Sequence, residues 1–231
     1  MIGYTQQSEG ENMFTGFCRE TSVFLWELAF HNERPWFQEH KETFEKVLNE
    51  PFKALAAETY ALLCEKYPDD PFRLHAARIY RDARRLYGRG PYKENLWFTI
   101  WEEPSDDNGG PVFWFEINKA FYAYGTGFWG GAEQMELYRK TIDANPPAFE
   151  RVIRKIERNK EFTVDGETYK REKGDYTGSL AHWYNLRHIS VSCRKDFGGD
   201  LFSSALPGTL VERYSELMPL FRYLNSLVNK V

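Results

Sequence analysis

Seven cations fall within the twenty-one residues from Arg73 to Lys93: Arg73, Arg78, Arg81, Arg84, Arg85, Arg89 and Lys93, with Asp82 as the single acid among them. The segment therefore carries +6, and because the whole chain carries −4, the rest must carry −10. A guanidinium grips carboxylate or phosphate oxygens two at a time, and a lysine adds a compact point charge. The chemistry these residues suit is the holding of a small, phosphorylated or otherwise anionic molecule. Arg81, Arg84 and Lys93 would contact the anion, and Asp82 would orient an arginine. Asp82 is also the one residue here with the makings of a general base, a role that needs a proton within hydrogen-bonding reach. No reaction follows from these residues alone, so whether the chain is an enzyme stays open. Gly88, Gly90 and Pro91 end any helix soon after Arg81, which predicts extended or turn structure there. Pro91 also stiffens the approach to Tyr92 and Lys93 and places both at the site.

A second signal lies in Gly125-Thr126-Gly127-Phe128-Trp129-Gly130, which matches G-x-G-x-x-G between an expected strand and an expected helix. Amides at the start of that helix, near Ala132, would help hold an anion if they faced the arginine loop. Gly125 and Gly127 are counted with the site on that basis, and Trp36 and Trp129 as its apolar walls. A dinucleotide fingerprint would also need an acid about 20 residues on, at the tip of the next strand. Asp143 has the spacing but ends a helix. The competing reading is that the glycines only let the backbone bend around Trp129.

Other chemistries find no pattern. The histidines form no H-x-x-x-H or H-E-x-x-H, and there is no G-x-S-x-G elbow, so neither a metal nor a cofactor is expected. Cys18, Cys64 and Cys193 are odd in number and widely spaced, which suits a reducing compartment and a cytoplasmic location. Met1–Asn12 is polar and reads as a disordered tail rather than a signal peptide. No apolar run approaches the roughly 18–20 residues of a membrane span. The acidic balance outside the arginine segment argues against nucleic acid as a partner. A basic stripe beside aromatics is nonetheless what single-strand binders use, and this stands as the third functional reading. The second is a non-enzymatic binding or scaffold protein whose arginines form a structural network.

The elements that must position these residues follow from periodicity and breakers. Thr21 reads as the N-cap of a helix over 22–31, Pro35 opens one to about Asn49, and Pro51 opens a third to about Lys66. Leu96–Trp101, Val112–Ile117 and Lys119–Tyr124 read as strands. Helices follow at 132–144 and from Pro146, with a hairpin turn at Asp165-Gly166, a short helix at 180–186 and a strand at 188–193. Leu210, Tyr214, Leu217, Phe221, Leu224 and Val228 make an apolar stripe, expected as core rather than as a dimer seam, so a monomer or weak homodimer is anticipated. Pro219 should split that helix in two. Helices first and hairpin strands next is an α+β order: one domain over 13–231, an antiparallel sheet built from hairpins and packed with N-terminal and central helices.

Several stretches of the chain resemble the family known as domain of unknown function 2461, found in bacteria and fungi. They are Phe14-Thr15-Gly16-Phe17, Asn32 with Trp36-Phe37, Ile79-Tyr80-Arg81-Asp82-Ala83-Arg84, Pro91-Tyr92-Lys93, Gly125–Trp129, and Arg139 with Ile142. The family's block usually continues R-F and a polar stretch with Asp-Lys before P-Y-K. Here Arg85-Leu86 and Gly88-Arg89-Gly90 stand instead. The resemblance implies no activity, but it centres on the residues that charge density singles out.

Overall fold

The computed structural model describes residues 13–105 and 109–228. Met1–Asn12, with its expected tail, the Asp106-Asp107 pair and the Arg85 side chain lie outside the described residues. The first helix, α1 (Arg19–Phe30), begins three residues before the position expected from Thr21, which sits in its first turn. The Thr21 hydroxyl accepts from the Cys18 N–H at 3.2 Å and donates to the Val47 carbonyl at 2.6 Å. The second bond explains how the next helices join. Pro51 has no N–H, so the Val47 carbonyl four residues earlier lacks its ordinary helical donor. Instead of starting a new helix at Pro51, the chain runs through α2 (Arg34–Glu39), α3 (Lys41–Phe44) and a π-helical turn (Glu45–Asn49) into α4 (Glu50–Lys66).

Six strands form one antiparallel sheet in the order β1-β2-β3-β4-β6-β5. They are β1 (Phe72–Ala76), β2 (Asn95–Glu102), β3 (Val112–Asn118), β4 (Phe121–Phe128), β5 (Thr163–Asp165) and β6 (Ile189–Asp196). Alternation decides which face is core. Leu96, Phe98 and Ile100 are buried, while Trp97, Thr99 and Trp101 between them are half-buried. Phe98 meets Phe52 of α4, and Phe113 stacks on Tyr214 and Phe221 of α8 (Leu206–Val228), with ring centroids 4.8 and 4.3 Å apart. Behind α8 pack α5 (Ala132–Ala144) and α6 (Pro146–Arg158), and α7 (Gly178–Tyr184) joins the same apolar core through Trp183.

The α+β architecture is the one the element order implies, with local differences. Strand β1 was not anticipated. It pairs along β2, from Phe72 opposite Glu102 to Ala76 opposite Phe98. Strand β4 starts later than Lys119, because the Asn118 side chain accepts from the Ala120 and Phe121 N–H groups at 2.9 and 3.1 Å and closes the turn there. The Asp165-Gly166 hairpin does not form: β5 pairs with β6, and Thr168 bridges Leu186 instead. Pro219 does not split the last helix. Leu217, Met218, Leu220 and Phe221 are all buried around it, and that burial outweighs the roughly 3 kcal/mol a proline costs inside a helix.

Candidate functional site

Beyond β1 and before β2 the chain makes a narrow ribbon that carries most of the arginine segment. Ala77 N–H donates to the Trp97 carbonyl, Lys93 N–H to Ile79 at 2.7 Å, and Arg81 N–H to Pro91 at 2.8 Å, while Tyr80 bridges Tyr92. The ribbon reverses at Tyr87 (φ 48°) and Gly88 (φ 78°), closed by Arg89 N–H on the Leu86 carbonyl at 2.9 Å. Two successive positive φ angles are the signature of a type I′ turn, which suits glycine and strains tyrosine. Extended and turn structure after Arg81 is therefore what the breakers produce, with a short 3-10 turn at Ala83–Arg85.

Asn32, just after α1, clamps this ribbon. Its amide donates to the Tyr92 carbonyl and its oxygen accepts from the Tyr92 N–H, both at 3.0 Å. A side chain thus takes the place of a neighbouring strand. Gly90 is required beside it, since a Cβ there would lie 2.2 Å from the Asn32 oxygen. The Tyr92 ring is buried and stacks on Phe37 of α2 at 4.0 Å. Burial, with Tyr80 adding to it, pushes the Tyr92 phenol above its usual range.

The clamped ribbon and the start of the sheet enclose an open cleft of about 660 Å³. Its lining holds Arg78, Arg81, Arg84, Arg89 and Lys93, with Asp82 as the acid and with His75, Tyr80 and Trp97 beside them. Arg81 donates from Nε to the Tyr92 carbonyl at 2.7 Å, so its stem is fixed at the neck of the loop. It also borders a smaller hollow of about 340 Å³ shared with Tyr92, Arg34 and Gln38. Arg84 lies on Asp82 in a two-point fork, Nε to Oδ1 at 3.1 Å and Nη2 to Oδ2 at 2.9 Å, with the Arg84 N–H also on Oδ1. That pair is on the surface, the Arg84 side chain 88% and the Asp82 side chain 36% exposed. The Asp82 bond raises the Arg84 pKa. Lys93 donates from Nζ to the Arg78 carbonyl at 2.7 Å and sits 4.2 Å above the Trp97 ring. Burial, then the charges of Arg78 and Arg81, hold its pKa below the usual lysine value.

The structure thus brings Arg81, Asp82, Arg84 and Lys93 together, with Tyr92 at the back of the loop. It does not bring the glycine signal to them. Gly125 and Gly127 lie inside β4 rather than in a turn before a helix. Trp97 pairs with Glu116 and Glu116 with Ala123, whereas Gly127 pairs with Val112. Gly127 is therefore two strands across and four residues along from the cleft, roughly 16 Å. A Cβ at Gly125 would lie 2.0 Å from the Val191 carbonyl oxygen, and one at Gly127 would lie 2.3 Å from the Trp129 ring. Close backbone approach and the folding back of Trp129 are what these glycines permit. Trp129 is half exposed and faces His188, and Trp36 is stacked on His40 at 4.1 Å, so neither borders the cleft. The start of α5 is closed by its own Gln134, whose oxygen accepts from the Gly131 N–H at 2.6 Å.

Sequence reasoning left out of the site His75, Tyr80, Trp97 and the clamp Asn32. Only alternation along β2 pointed to Trp97 as outward-facing, and only the β1–β2 pairing sets His75 and Ala77 beside it.

A model of conserved hypothetical proteins, DUF2461, matches residues 20–223. The chain belongs to that family. No curated protein matches it. In this DUF2461 chain the matched stretch contains Asn32, the whole 77–93 ribbon and all six strands, so the cleft lies wholly within it.

Proposed function

We propose that the chain binds a small, phosphorylated or otherwise anionic molecule in the cleft between the 77–93 ribbon and the start of β2. The observation that carries this reading is an imbalance: among the described residues, five cationic side chains and one carboxylate line a single open cleft, and that carboxylate is already taken by Arg84. A purely structural arginine network would bury each guanidinium against its own acid, and Arg78, Arg81 and Lys93 have no such partner among the described residues. Trp97 beneath the Lys93 ammonium supplies an apolar floor for the uncharged part of a ligand. Asp82, held in its fork, orients Arg84 and leaves no acid–base step to be named.

The test is thermal unfolding in the presence of inorganic phosphate, sugar phosphates, nucleotides and short oligonucleotides, repeated with Arg84→Ala. A ligand at about 100 times its dissociation constant adds roughly 2.7 kcal/mol of stability. The expected result is a shift from one class of small anion that Arg84→Ala loses, with the unliganded melting temperature little changed. A shift confined to oligonucleotides, falling steeply with salt, would replace this reading with single-strand binding. No shift from any of them would move the weight to a scaffold role.

A further inference from the structure

We infer that Lys93 forms a reversible imine with a small anionic carbonyl compound held in the same cleft, a class that spans 2-oxo acids and phosphorylated aldehydes. The inference rests on the anion-binding reading and names the substrate class for it.

Lys93 differs from three lysines that carboxylates hold. Lys119 lies 3.0 Å from Glu94, Lys140 2.7 Å from Glu136 and Lys195 2.9 Å from Glu161. Among the described residues no carboxylate pairs with Lys93, and its one hydrogen bond goes to a backbone carbonyl. The charged groups around it are Arg78 and Arg81, with Arg84, Arg89 and Asp82 also lining the cleft and Asp82 held by Arg84. His75 and Tyr80 complete the polar lining. The Trp97 face and the Arg78 carbonyl favour the ammonium. Partial burial, then the charges of Arg78 and Arg81, act the other way and lower the pKa. A lysine beside other cations in a partly apolar site keeps more of its amine neutral and nucleophilic than a free lysine does at the same pH.

The same cations that discourage a charge on Lys93 attract one on the ligand. An anionic group on Arg78 and Arg81 would bring a neighbouring carbonyl carbon to Nζ. The amine lone pair adds to that carbon, and a proton moves from nitrogen to the former carbonyl oxygen, giving a carbinolamine. Loss of that oxygen as water leaves the imine. Nothing is oxidised or reduced, and hydrolysis reverses the step.

The experiment incubates the full chain, near neutral pH, with glyoxylate or glycolaldehyde phosphate and cyanoborohydride, followed by peptide mapping. The reductant delivers hydride to the imine and fixes it as a secondary amine. Propionaldehyde is the neutral control and inorganic phosphate the competitor. The expected result is labelling of Lys93 in roughly tenfold or greater excess over the other lysines, the return of even modest positioning. Excess phosphate should suppress it, and propionaldehyde should show no such preference. Whichever anionic probe labels faster separates the oxo acids from the phosphorylated aldehydes. Lys93→Arg, checked for folding by circular dichroism, should abolish the adduct. Labelling spread evenly over lysines overturns the imine while leaving a phosphate-induced thermal shift to decide the anion site. Preferential Lys93 labelling by propionaldehyde, insensitive to phosphate, overturns the anionic substrate class and counts against the anion site itself.

Discussion

The arginine ribbon at 77–93 and the glycine segment at 125–131 carry comparable signals for an anion site, and the fold treats them oppositely. In the ribbon, long charged side chains project into an open cleft. In the glycine segment Gly125 and Gly127 are sealed inside β4, with β6 on one side and the Trp129 ring folded over Gly127. The difference lies in what each residue type contributes. A guanidinium cannot be buried without a partner, so a dense group of arginines with one acid must reach either water or a ligand. A glycine contributes only the absence of a Cβ, which serves a phosphate, a neighbouring strand or an indole ring equally well.

If the comparison holds, substitutions in the glycine segment change stability and leave ligand binding alone, and substitutions in the cleft do the reverse. The largest effect should come from Gly125→Ala. The added Cβ meets the Val191 backbone, which cannot swing aside. Denaturant unfolding should show a loss of about 3 kcal/mol, the upper end for overpacking in a core. Phosphate should still stabilise whatever fraction remains folded.

Asn32→Ala crosses the two regimes and is the substitution best able to break the contrast. It removes both bonds to Tyr92 and leaves the Tyr92 N–H unpaired, while the carbonyl keeps Arg81 Nε, for a loss of roughly 1–3 kcal/mol. Because the clamp sets the ribbon that holds Arg81 and Lys93, phosphate affinity should fall as well. Full affinity in a destabilised variant would show that the cleft does not depend on its frame.

Gly127→Ala should cost less than Gly125→Ala, about 1 kcal/mol, because its new Cβ meets the outer edge of the half-exposed Trp129 ring. Tryptophan fluorescence should report the displaced indole. A cost equal to that of Gly125→Ala would mean the ring is fixed in place.

The smallest change in stability belongs to Arg84→Ala, since its fork with Asp82 stands in water. Its effect should appear in the phosphate titration alone. The pH dependence of that titration sharpens the assignment of Lys93. An anion favours the ammonium, so affinity is full while Lys93 is protonated and falls as pH rises through its pKa, which lies below the ordinary lysine value. Phosphate binding that holds steady through the ordinary lysine range would remove Lys93 from the contact set.

Much of the fold was legible because it rests on local periodicity. The alternation of Leu96, Phe98 and Ile100 with Trp97, Thr99 and Trp101 specifies a half-buried strand wherever it sits. The amphipathic stripe through Leu210, Tyr214, Leu217, Phe221 and Leu224 similarly specifies a core helix. What periodicity could not show was the effect of neighbours. Pro51 and Pro219 stay within helical runs because the Thr21 hydroxyl serves one orphaned carbonyl and flanking burial holds the other helix together. Gly166 closes no hairpin, since β5 pairs with β6 and Thr168 bridges Leu186, partners eighteen or more residues away in the chain.

The sequence by itself determined that cations outnumber acids in one short segment, that this segment cannot be helical past Gly88, and that Pro91 leads Tyr92 and Lys93 out of it. Composition and steric rules act over a few residues, and these facts needed nothing else. Only the tertiary structure decided that Arg78, Arg81 and Lys93 face one cleft, that Asn32 from sixty residues away clamps its frame, and that Gly125 and Gly127 belong elsewhere. Which side chains share a space is set by strand register and long-range hydrogen bonds, and neither leaves a mark on the local pattern of residues.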